Sequence, residues 1–279
     1  MRVLYYSDIH IELRESETRI PWCDKYPLDL GPDLSSFVGK TDLVVLAGDI
    51  GPIRPRRDVS AYLYAMQVSE HLSCPVVLIP GNHEYYGGCF LQDRQAILQQ
   101  SNQRVFILDR GVAHVQFPGI VLRVLGATLW TDYCLTGNQV LAMHDALRGL
   151  SDHRLIKMEK GAPFLPDHAL QEHMQTRRWL GEELAEAHNG PTIVVTHHVP
   201  HPLAVNPKFG LNDRLAPAFT TDCSELIHAA ARARVKAWIY GHNHASQVCE
   251  ANGVLLMSAQ LGYPREVTRW TGPGTVDIG

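Results

Sequence analysis

Aspartate, asparagine and histidine side chains recur in short clusters along this sequence, in combinations that could bind metal ions. The five clusters are Asp8-Ile9-His10, Gly48-Asp49, Gly81-Asn82-His83-Glu84, Thr196-His197-His198 and Gly241-His242-Asn243-His244. Carboxylate oxygens and neutral imidazoles are ligands for borderline divalent metals such as manganese, iron and zinc. The set is too large for one ion that must keep an open position. Two ions bridged by one carboxylate fit it, and a pair about 3.5–4 Å apart can hold a hydroxide and bind phosphoryl oxygens.

Each cluster directly follows an apolar segment, which predicts where the fold places it. The segments are residues 3–6, 43–47, 76–79, 192–195 and 237–240, all rich in apolar side chains. Such segments predict buried parallel strands, and loops at the carboxyl ends of strands form the sites of α/β sheets. One face of the sheet is therefore expected to gather two Asp, one Asn and five or six His.

The spacing within the clusters gives first indications of which side chains act together. Asp8 and His10 are two residues apart, and in an extended segment this spacing points both side chains to one side. Taken alone, that pair is better explained by a strand-end Asp and a surface His. His197 and His198 are neighbours, so they are not expected to bind the same ion. Asp49 has two oxygens and suits a bridging position.

The series D-x-H, G-D, G-N-H-E, T-H-H and G-H-x-H resembles the calcineurin-like metallophosphoesterase superfamily over nearly the whole chain. The resemblance implies a four-layered α/β/β/α sandwich of two mixed β-sheets, formed by a single domain over residues 1–279. It also implies two divalent ions, with manganese preferred over iron, zinc or nickel. By this resemblance the first ion is held by Asp8, His10, Asp49 and His244, and the second by Asp49, Asn82, His197 and His242.

The resemblance further implies how the site would act. A hydroxide between the two ions attacks phosphorus in line, while His83 acts on the leaving oxygen. An acid such as Asp49 or Glu84 is the expected partner of His83. Asn82 is expected to contact substrate as well as metal. His198 either contacts substrate or is only a hydrogen-bonded neighbour.

Two positions depart from the protein Ser/Thr phosphatase branch of this superfamily. That branch has an Arg directly before G-N-H-E and another four residues after the G-D aspartate, where this chain has Pro80 and Ile53. The chain is more similar to the small bacterial branch. Without an Arg clamp for a monoester dianion, the sequence predicts a phosphodiesterase. A phosphomonoesterase is the alternative, and a nucleic-acid-processing nuclease or a metal-free scaffold are further ones.

Composition limits the partners of the chain. The 279 residues carry a formal net charge of −4, so no overall basic footprint for nucleic acid exists. The Arg54, Arg56 and Arg57 cluster is the only hint of one, and a small-molecule or nucleotide phosphoester is the expected substrate. No apolar segment approaches the roughly 18 residues of a membrane helix, and no signal-peptide pattern opens the chain. A cytoplasmic protein without a membrane contact is expected, and the oligomeric state stays open.

The remaining segments predict the elements around the site. Helices are expected at residues 58–73, 90–100, 168–187 and 223–233, and strands at 105–108, 112–116, 120–126, 247–250 and 254–258. Residues 11–40 are polar and rich in turn formers, which indicates an insertion on the site face. Residues 130–166 have weak periodicity and are interpreted as a cap-like insertion over the sheet edge.

Overall fold

Two mixed sheets form the centre of the protein in a computed structural model that describes residues 1–17, 27–53, 60–266 and 268–279. In chain order the strands are β1 (Arg2–Tyr6), β2 (Leu43–Leu46), β3 (Val76–Leu78), β4 (Val105–Ile107), β5 (Gly111–Phe117), β6 (Ile120–Ala127), β7 (Thr192–Thr196), β8 (Val235–Ile239), β9 (Gln247–Ala251), β10 (Val254–Ser258) and β11 (Gly274–Asp277). The first sheet has the order β11-β1-β2-β3-β4 and the second β5-β6-β7-β8-β10-β9. Within them, β1–β4 are parallel neighbours, as are β6–β8, and β10 is parallel to β8.

The helices lie between and outside these strands. In chain order they are α1 (Ile11–Glu17), α2 (Ala61–Leu72), α3 (Phe90–Leu98), α4 (Gln139–Gly149), α5 (Asp152–Leu155), α6 (Pro166–Ala185), α7 (Ala216–Phe219) and α8 (Ser224–Arg232). Short 3-10 turns cover Pro27–Leu30, Ser35–Phe37, His83–Tyr85, Glu159–Gly161 and Pro202–Ala204. Among the described residues, no helix has both the length and the apolar character needed to cross a membrane.

The alternation of side chains along the strands creates the layers. Ile193 and Val195 of β7 face the core that the second sheet shares with the first, whereas Val194 between them faces a separate core with α6 and α8. On the first sheet, α2 adds Tyr64 and Val68 to the buried apolar side chains that pack against these strands. Successive strand residues point to opposite faces, so one strand serves both layers. The predicted four-layered sandwich is confirmed.

Most predicted elements are present, with shifted ends. The helix expected at 58–73 begins at Ala61, because the Ser60 hydroxyl caps it by accepting a hydrogen bond from Leu63 N at 3.2 Å. The helix expected at 168–187 begins two residues earlier, at Pro166, whose fixed φ suits the first helical turn. The hairpin turns at Asn252-Gly253, where both residues have positive φ.

Five helices and strands were not predicted, namely α1, α4, α5, α7 and β11. Residues Ile11–Glu17, expected as part of a turn-rich insertion, form the helix α1 instead. The helix α4 lies in the region interpreted as a cap, and β11 adds an edge strand beside β1. The Arg54, Arg56 and Arg57 cluster lies outside the described residues.

The topology brings the two sheets together where the clusters are. The amide of Ser7, after β1, donates to Ala259 O after β10 at 3.0 Å, and Leu261 N donates back to Ser7 O at 3.2 Å. Within each sheet, Asp8 N donates to Gly48 O and Gly241 N to His197 O. The carboxyl ends of five strands therefore meet at one edge of the sandwich.

Candidate metal centre

The chain leaves the strands at this edge through left-handed turns. Five of the predicted ligands have positive φ angles, at Asp8 (55°), His10 (51°), Asp49 (53°), His242 (77°) and His244 (52°). Positive φ is uncommon for residues other than glycine, and such conformations concentrate at functional sites. The extended geometry expected for Asp8 and His10 is therefore wrong, although both side chains do reach the same site.

Two glycines of the motifs leave room for these side chains. Gly48 has a φ of 92°, and a Cβ there would collide with the His197 imidazole. A Cβ at Gly81 would collide with the Asp49 carboxylate. Any side chain at either position would displace a predicted ligand.

The first set of ligand atoms comes from Asp8, His10 and His244, whose donor atoms all lie within 4.8 Å of one another. Nε2 of His244 is 3.1 Å from Nε2 of His10 and 3.5 Å from Oδ1 of Asp8. Oδ2 of Asp49 lies 4.0 Å from His10 Nε2. The four side chains predicted for the first ion thus converge.

The second set contains Asp49, His197 and His242, again with donor atoms within 4.8 Å. Nε2 of His197 is 3.0 Å from Asn82 Oδ1 and 3.1 Å from His242 Nδ1. The other oxygen of Asp49, Oδ1, is 3.4 Å from His197 Nε2. All seven predicted ligands are brought together, and Asp49 lies between the two sets.

The hydrogen bonds behind these atoms leave lone pairs facing one another. His197 Nδ1 donates to Ala47 O at 2.9 Å, so a neutral imidazole presents the lone pair of Nε2. The amide of Asn82 donates from Nδ2 to Asp152 Oδ1 at 2.8 Å, which turns its Oδ1 toward His197. Two acceptors about 3 Å apart require a proton or a cation between them. The donor set therefore fits a divalent metal.

The charges at the site favour a cation as well. Burial lowers the pKa of His197, but the carboxylates of Asp49 and Asp8 raise it to about 9. Burial raises the pKa of Asp49, yet the neighbouring His197 and His83 hold it well below its usual range. Burial and the neighbouring His198 and His197 keep the pKa of His242 well below normal. His242 and Asp49 are therefore in the protonation states that bind metal. The raised pKa of His197 reflects the pull of the carboxylates on positive charge, which a bound cation would supply in place of the proton.

His83 stands beside the first set and contacts an acid that sequence reasoning missed. Its Nδ1 lies 3.1 Å from Glu12 Oε1 and its Nε2 is 3.1 Å from the Tyr263 hydroxyl. Burial lowers the pKa of His83, but the carboxylates of Asp49 and Glu12 raise it to about 9. Asp49 itself accepts only the backbone N–H of His83, at 2.9 Å. The ring partner of His83 is therefore Glu12.

Glu84, the other expected partner of His83, has a different position. Its carboxylate accepts the backbone N–H groups of Asp49 (2.9 Å), Ile50 (2.8 Å), Gly51 (3.1 Å) and Gly81 (2.6 Å). The side chain thus joins the loop after β2 to the loop after β3, and the prediction that Glu84 contacts the His83 imidazole is wrong.

His198 lies behind the second set. Its Nδ1 is 3.1 Å from Thr128 O, and the side chain is 1 % exposed. Its ring packs against Trp130, with 5.0 Å between centroids, and against His242, at 4.0 Å. Of the two roles left open for His198, these contacts favour the hydrogen-bonded neighbour.

A cleft of about 270 Å³ lies over the two sets of ligand atoms. Its walls include Tyr86, Tyr263, Phe209, Phe219 and the segment 149–152. No Lys or Arg belongs to this wall in the part of the chain that the structure describes. Besides Asp49, the carboxylates of Asp152 and Glu266 belong to it.

Glu12, Asp152 and Glu266 are the site residues that sequence reasoning missed. Glu266 Oε2 lies 2.6 Å from His244 Nδ1, and Asp152 accepts a hydrogen bond from the Asn82 amide. Both carboxylates therefore orient a predicted ligand. None of the three follows an apolar strand, which was the signal used to find the other residues. The nearness of Glu12 to the D-x-H cluster was the one available indication.

Comparisons with known proteins agree with this geometry. The family model described as "Calcineurin-like phosphoesterase" matches residues 1–246. A protein of Acanthamoeba polyphaga mimivirus, "Uncharacterized protein L509", is 24% identical over 307 aligned positions that cover 100% of this chain and 97% of the relative. The crystal structure of a phosphopantetheinyl hydrolase from Mycobacterium tuberculosis is similar with a TM-score of 0.62 at 18% identity, over 94% of this chain and 90% of that one. With its fold and its converging ligands, the chain belongs to the calcineurin-like phosphoesterase family of metal-dependent hydrolases that act on phosphoester bonds.

Proposed function

We propose that the protein is a phosphodiesterase that uses two divalent metal ions. The observation that carries this proposal is the position of Asp49 between two donor sets, with Oδ1 3.4 Å from His197 Nε2 and Oδ2 4.0 Å from His10 Nε2. Asp8, His10 and His244 would hold one ion, and Asn82, His197 and His242 the other. Manganese suits this mixture of oxygen and imidazole ligands, as iron, zinc and nickel also do. Such ions, when bound, lower the pKa of a water and offset charge on phosphoryl oxygens.

The surrounding residues would then orient the substrate and move a proton. His83 lines the cleft and would donate a proton to the leaving oxygen from Nε2, the atom 3.1 Å from the Tyr263 hydroxyl. Glu12 would hold the other ring nitrogen and keep the imidazole in place. Asp152 would keep the Asn82 amide oxygen turned toward the second set.

The charge of the cleft favours a diester over a monoester. A phosphomonoester dianion carries one more negative charge than a diester, and an Arg clamp normally balances it in the protein phosphatase branch. Pro80 and Ile53 stand at the clamp positions, and no Lys or Arg of the described residues lines the cleft. The carboxylates of Asp152 and Glu266 add negative charge there. A monoanionic diester is repelled less by such a site.

The segment 130–166 is proposed to cover the cleft. Its residues 149–152 form part of the wall, and Tyr86 donates from its hydroxyl to Asp152 Oδ1 at 2.5 Å. These contacts tie α5 to the loop after β3, so a substrate would enter between this segment and Tyr263.

A substrate panel on metal-reconstituted protein tests the proposal. It compares p-nitrophenyl phosphate with bis-p-nitrophenyl phosphate, and adds cyclic nucleotides and a phosphopantetheinyl ester, because the similar crystal structure bears that name. We expect a higher kcat/KM for the bis ester than for the monoester. A kcat/KM for the monoester that is tenfold or more above that of the diester, about 1.4 kcal/mol, would replace the proposal by a phosphomonoesterase.

A further inference from the structure

An apolar pocket opens beside the metal centre and has no part in the chemistry described so far. Val205, Phe209, Leu215, Ala216 and Phe219 form most of its wall, and it is called the Phe pocket below. Its volume is about 170 Å³. A cavity of roughly 150 Å³ with apolar walls can hold a benzene molecule. The Phe pocket is therefore large enough for one aromatic ring.

The Phe pocket adjoins the cleft over the ligand atoms. Phe209, Phe219 and Asn243 belong to the walls of both. The Phe219 ring stacks on His242, a predicted ligand of the second ion, with 4.7 Å between centroids and 29° between planes. A group in the pocket would therefore lie next to a phosphorus atom bound in the cleft.

The polar side chains of the pocket are mostly committed to the protein itself. The amide of Asn206 donates to Asn243 O at 2.7 Å, and the amide of Asn243 donates to Ala204 O at 2.9 Å. Asp213 accepts the backbone N–H of Leu215 at 2.8 Å. Few directional contacts remain for an occupant, and the one carboxylate disfavours an anionic one. The walls suit a flat, uncharged ring that binds by apolar contact.

Phe209 is 55 % exposed although it is a large aromatic residue. An exposed aromatic side chain at the rim of a concave apolar site is typical of a binding surface. Burial of this ring against an occupant would remove apolar area from water on both sides. The exposure of Phe209 is thus explained if the pocket is filled during the reaction.

We infer that the Phe pocket binds the esterifying group that stays on phosphorus, and that this group is an uncharged ring such as an aryl or nucleobase moiety. The inference rests on the proposed diesterase function, since a monoester has no such second group. His83 packs against His10 of the first set, with 4.3 Å between ring centroids, and would protonate the leaving oxygen on that side. Phe219 packs against the second set, where the retained group would lie.

Two diesters with the same leaving group test this inference. Bis-p-nitrophenyl phosphate retains an aryl group after p-nitrophenol leaves, whereas methyl p-nitrophenyl phosphate retains only a methyl group. The manganese-reconstituted full chain should show a kcat/KM about tenfold or more higher for the aryl diester. Phe209→Ala should remove most of that preference, because KM should rise more for the aryl diester than for the methyl diester and the ratio of the two kcat/KM values should fall toward one. Leu211→Ala, an exposed position (47 %) of the same loop outside the pocket wall, is the matched control.

A binding measurement gives a readout without turnover. Phenylphosphonate and methylphosphonate have no ester bond to cleave. Calorimetry should show tighter binding of the phenyl compound than of the methyl compound to wild type. The two compounds should bind Phe209→Ala with similar affinity. Equal kcat/KM values for the two diesters in wild type, or an equal loss for both in Phe209→Ala, would overturn the Phe pocket and leave the diesterase proposal standing. Turnover of p-nitrophenyl phosphate without turnover of either diester would overturn the proposed function and the pocket together.

Discussion

The two carboxylate oxygens of Asp49 face different sets of ligand atoms, Oδ1 toward His197 and Oδ2 toward His10. Removal of this one side chain should therefore weaken both metal positions, whereas Asp8 is a predicted ligand of the first ion alone and contacts the second set only by accepting the backbone N–H of His242. We predict that Asp49→Ala retains less metal than Asp8→Ala after reconstitution with Mn²⁺ and desalting. Elemental analysis per chain measures this, with the exposed Asp33→Ala as control. Equal metal contents in the two site variants would contradict a bridging Asp49.

The contribution of His83 to the reaction rate depends on the leaving group. His83→Ala should keep its metal and lose about 10²–10⁴-fold in rate on a diester with a poorly acidic alcohol as leaving group. The loss should be smaller when p-nitrophenol leaves, because that oxygen hardly needs a proton. Single-turnover rates on both diesters measure the difference. Equal losses would mean that His83 orients the phosphoryl group and donates no proton.

A substitution of Glu12 tests the same proton donation, with a smaller expected loss of rate. Glu12→Gln preserves a hydrogen-bonding group near His83 but removes the charge 3.1 Å from its Nδ1. The variant should lose less rate than His83→Ala, and again mainly with the poor leaving group. The double variant should be no slower than His83→Ala alone, since the two residues act as one unit. Additive losses would show that Glu12 acts through His10, whose Nδ1 lies 3.7 Å away.

At the scale of elements, the strands were predictable and the turns after them were not. An apolar segment such as residues 192–195 has one physical explanation, a strand buried on both faces, and β7 confirms it. The left-handed φ of Asp8 or His244 has no local signal, because only the packing of the surrounding loops stabilises it. The helix α1 was missed for a related reason. Its seven residues have no apolar stripe, and contacts with the site and with Gly262 hold it in place.

The helix α6 holds a loop of the site through a buried histidine. His173 Nδ1 lies 3.2 Å from Leu129 O and 3.3 Å from Trp130 O, and both of those residues have positive φ. Burial lowers the pKa of His173 to about 4. An unfolded histidine has a pKa of about 6.5, so between these values the unfolded chain binds a proton that the folded chain excludes. Folding stability is then full above pH 6.5 and falls as the pH is lowered toward 4.

Urea unfolding of chelator-treated protein at about pH 7.5 and about pH 5 tests this dependence. Between these conditions His173 should account for a loss of roughly 2 kcal/mol. His173→Gln cannot take up that proton, so its loss between the two pH values should be smaller by this amount. His228→Gln, on the exposed face of α8, should behave as wild type. An unchanged pH dependence in His173→Gln would show that its imidazole is protonated in the folded state.

For the whole molecule, metal binding should be visible in both activity and stability. The two donor sets are buried between the sheets, so an ion there binds the folded chain and not the unfolded one. We predict that a chelator abolishes activity and lowers the melting temperature, and that Mn²⁺ restores both with two ions per chain. Calorimetry with parallel metal analysis measures this. Active, reconstituted protein with one ion or none would contradict the two-metal proposal.

The order of the motifs made the family and its seven candidate ligands accessible from sequence, because each motif is local to one strand end. The residues that orient those ligands were not accessible. Asp152 lies 70 positions from the Asn82 amide that it binds, and nothing near it in the chain indicates this contact. The Phe pocket was not predicted either, although nine of its ten wall residues lie between Val205 and Thr220, because the turns that bring these residues together have no periodic apolar pattern.

The division of the ligands between two sheets has a consequence for how the protein is made. Asp8, His10, Asp49 and Asn82 follow strands of the first sheet, whereas His197, His242 and His244 follow strands of the second. Roughly 240 residues separate the first ligand from the last, so at about 5–20 residues per second a ribosome needs on the order of 10–50 s to deliver both. Until then the nascent chain lacks three of the four imidazole ligands. We therefore expect both proposed ions to be loaded after translation, and a metal pulse given after synthesis has stopped should load the enzyme as well as metal supplied throughout growth.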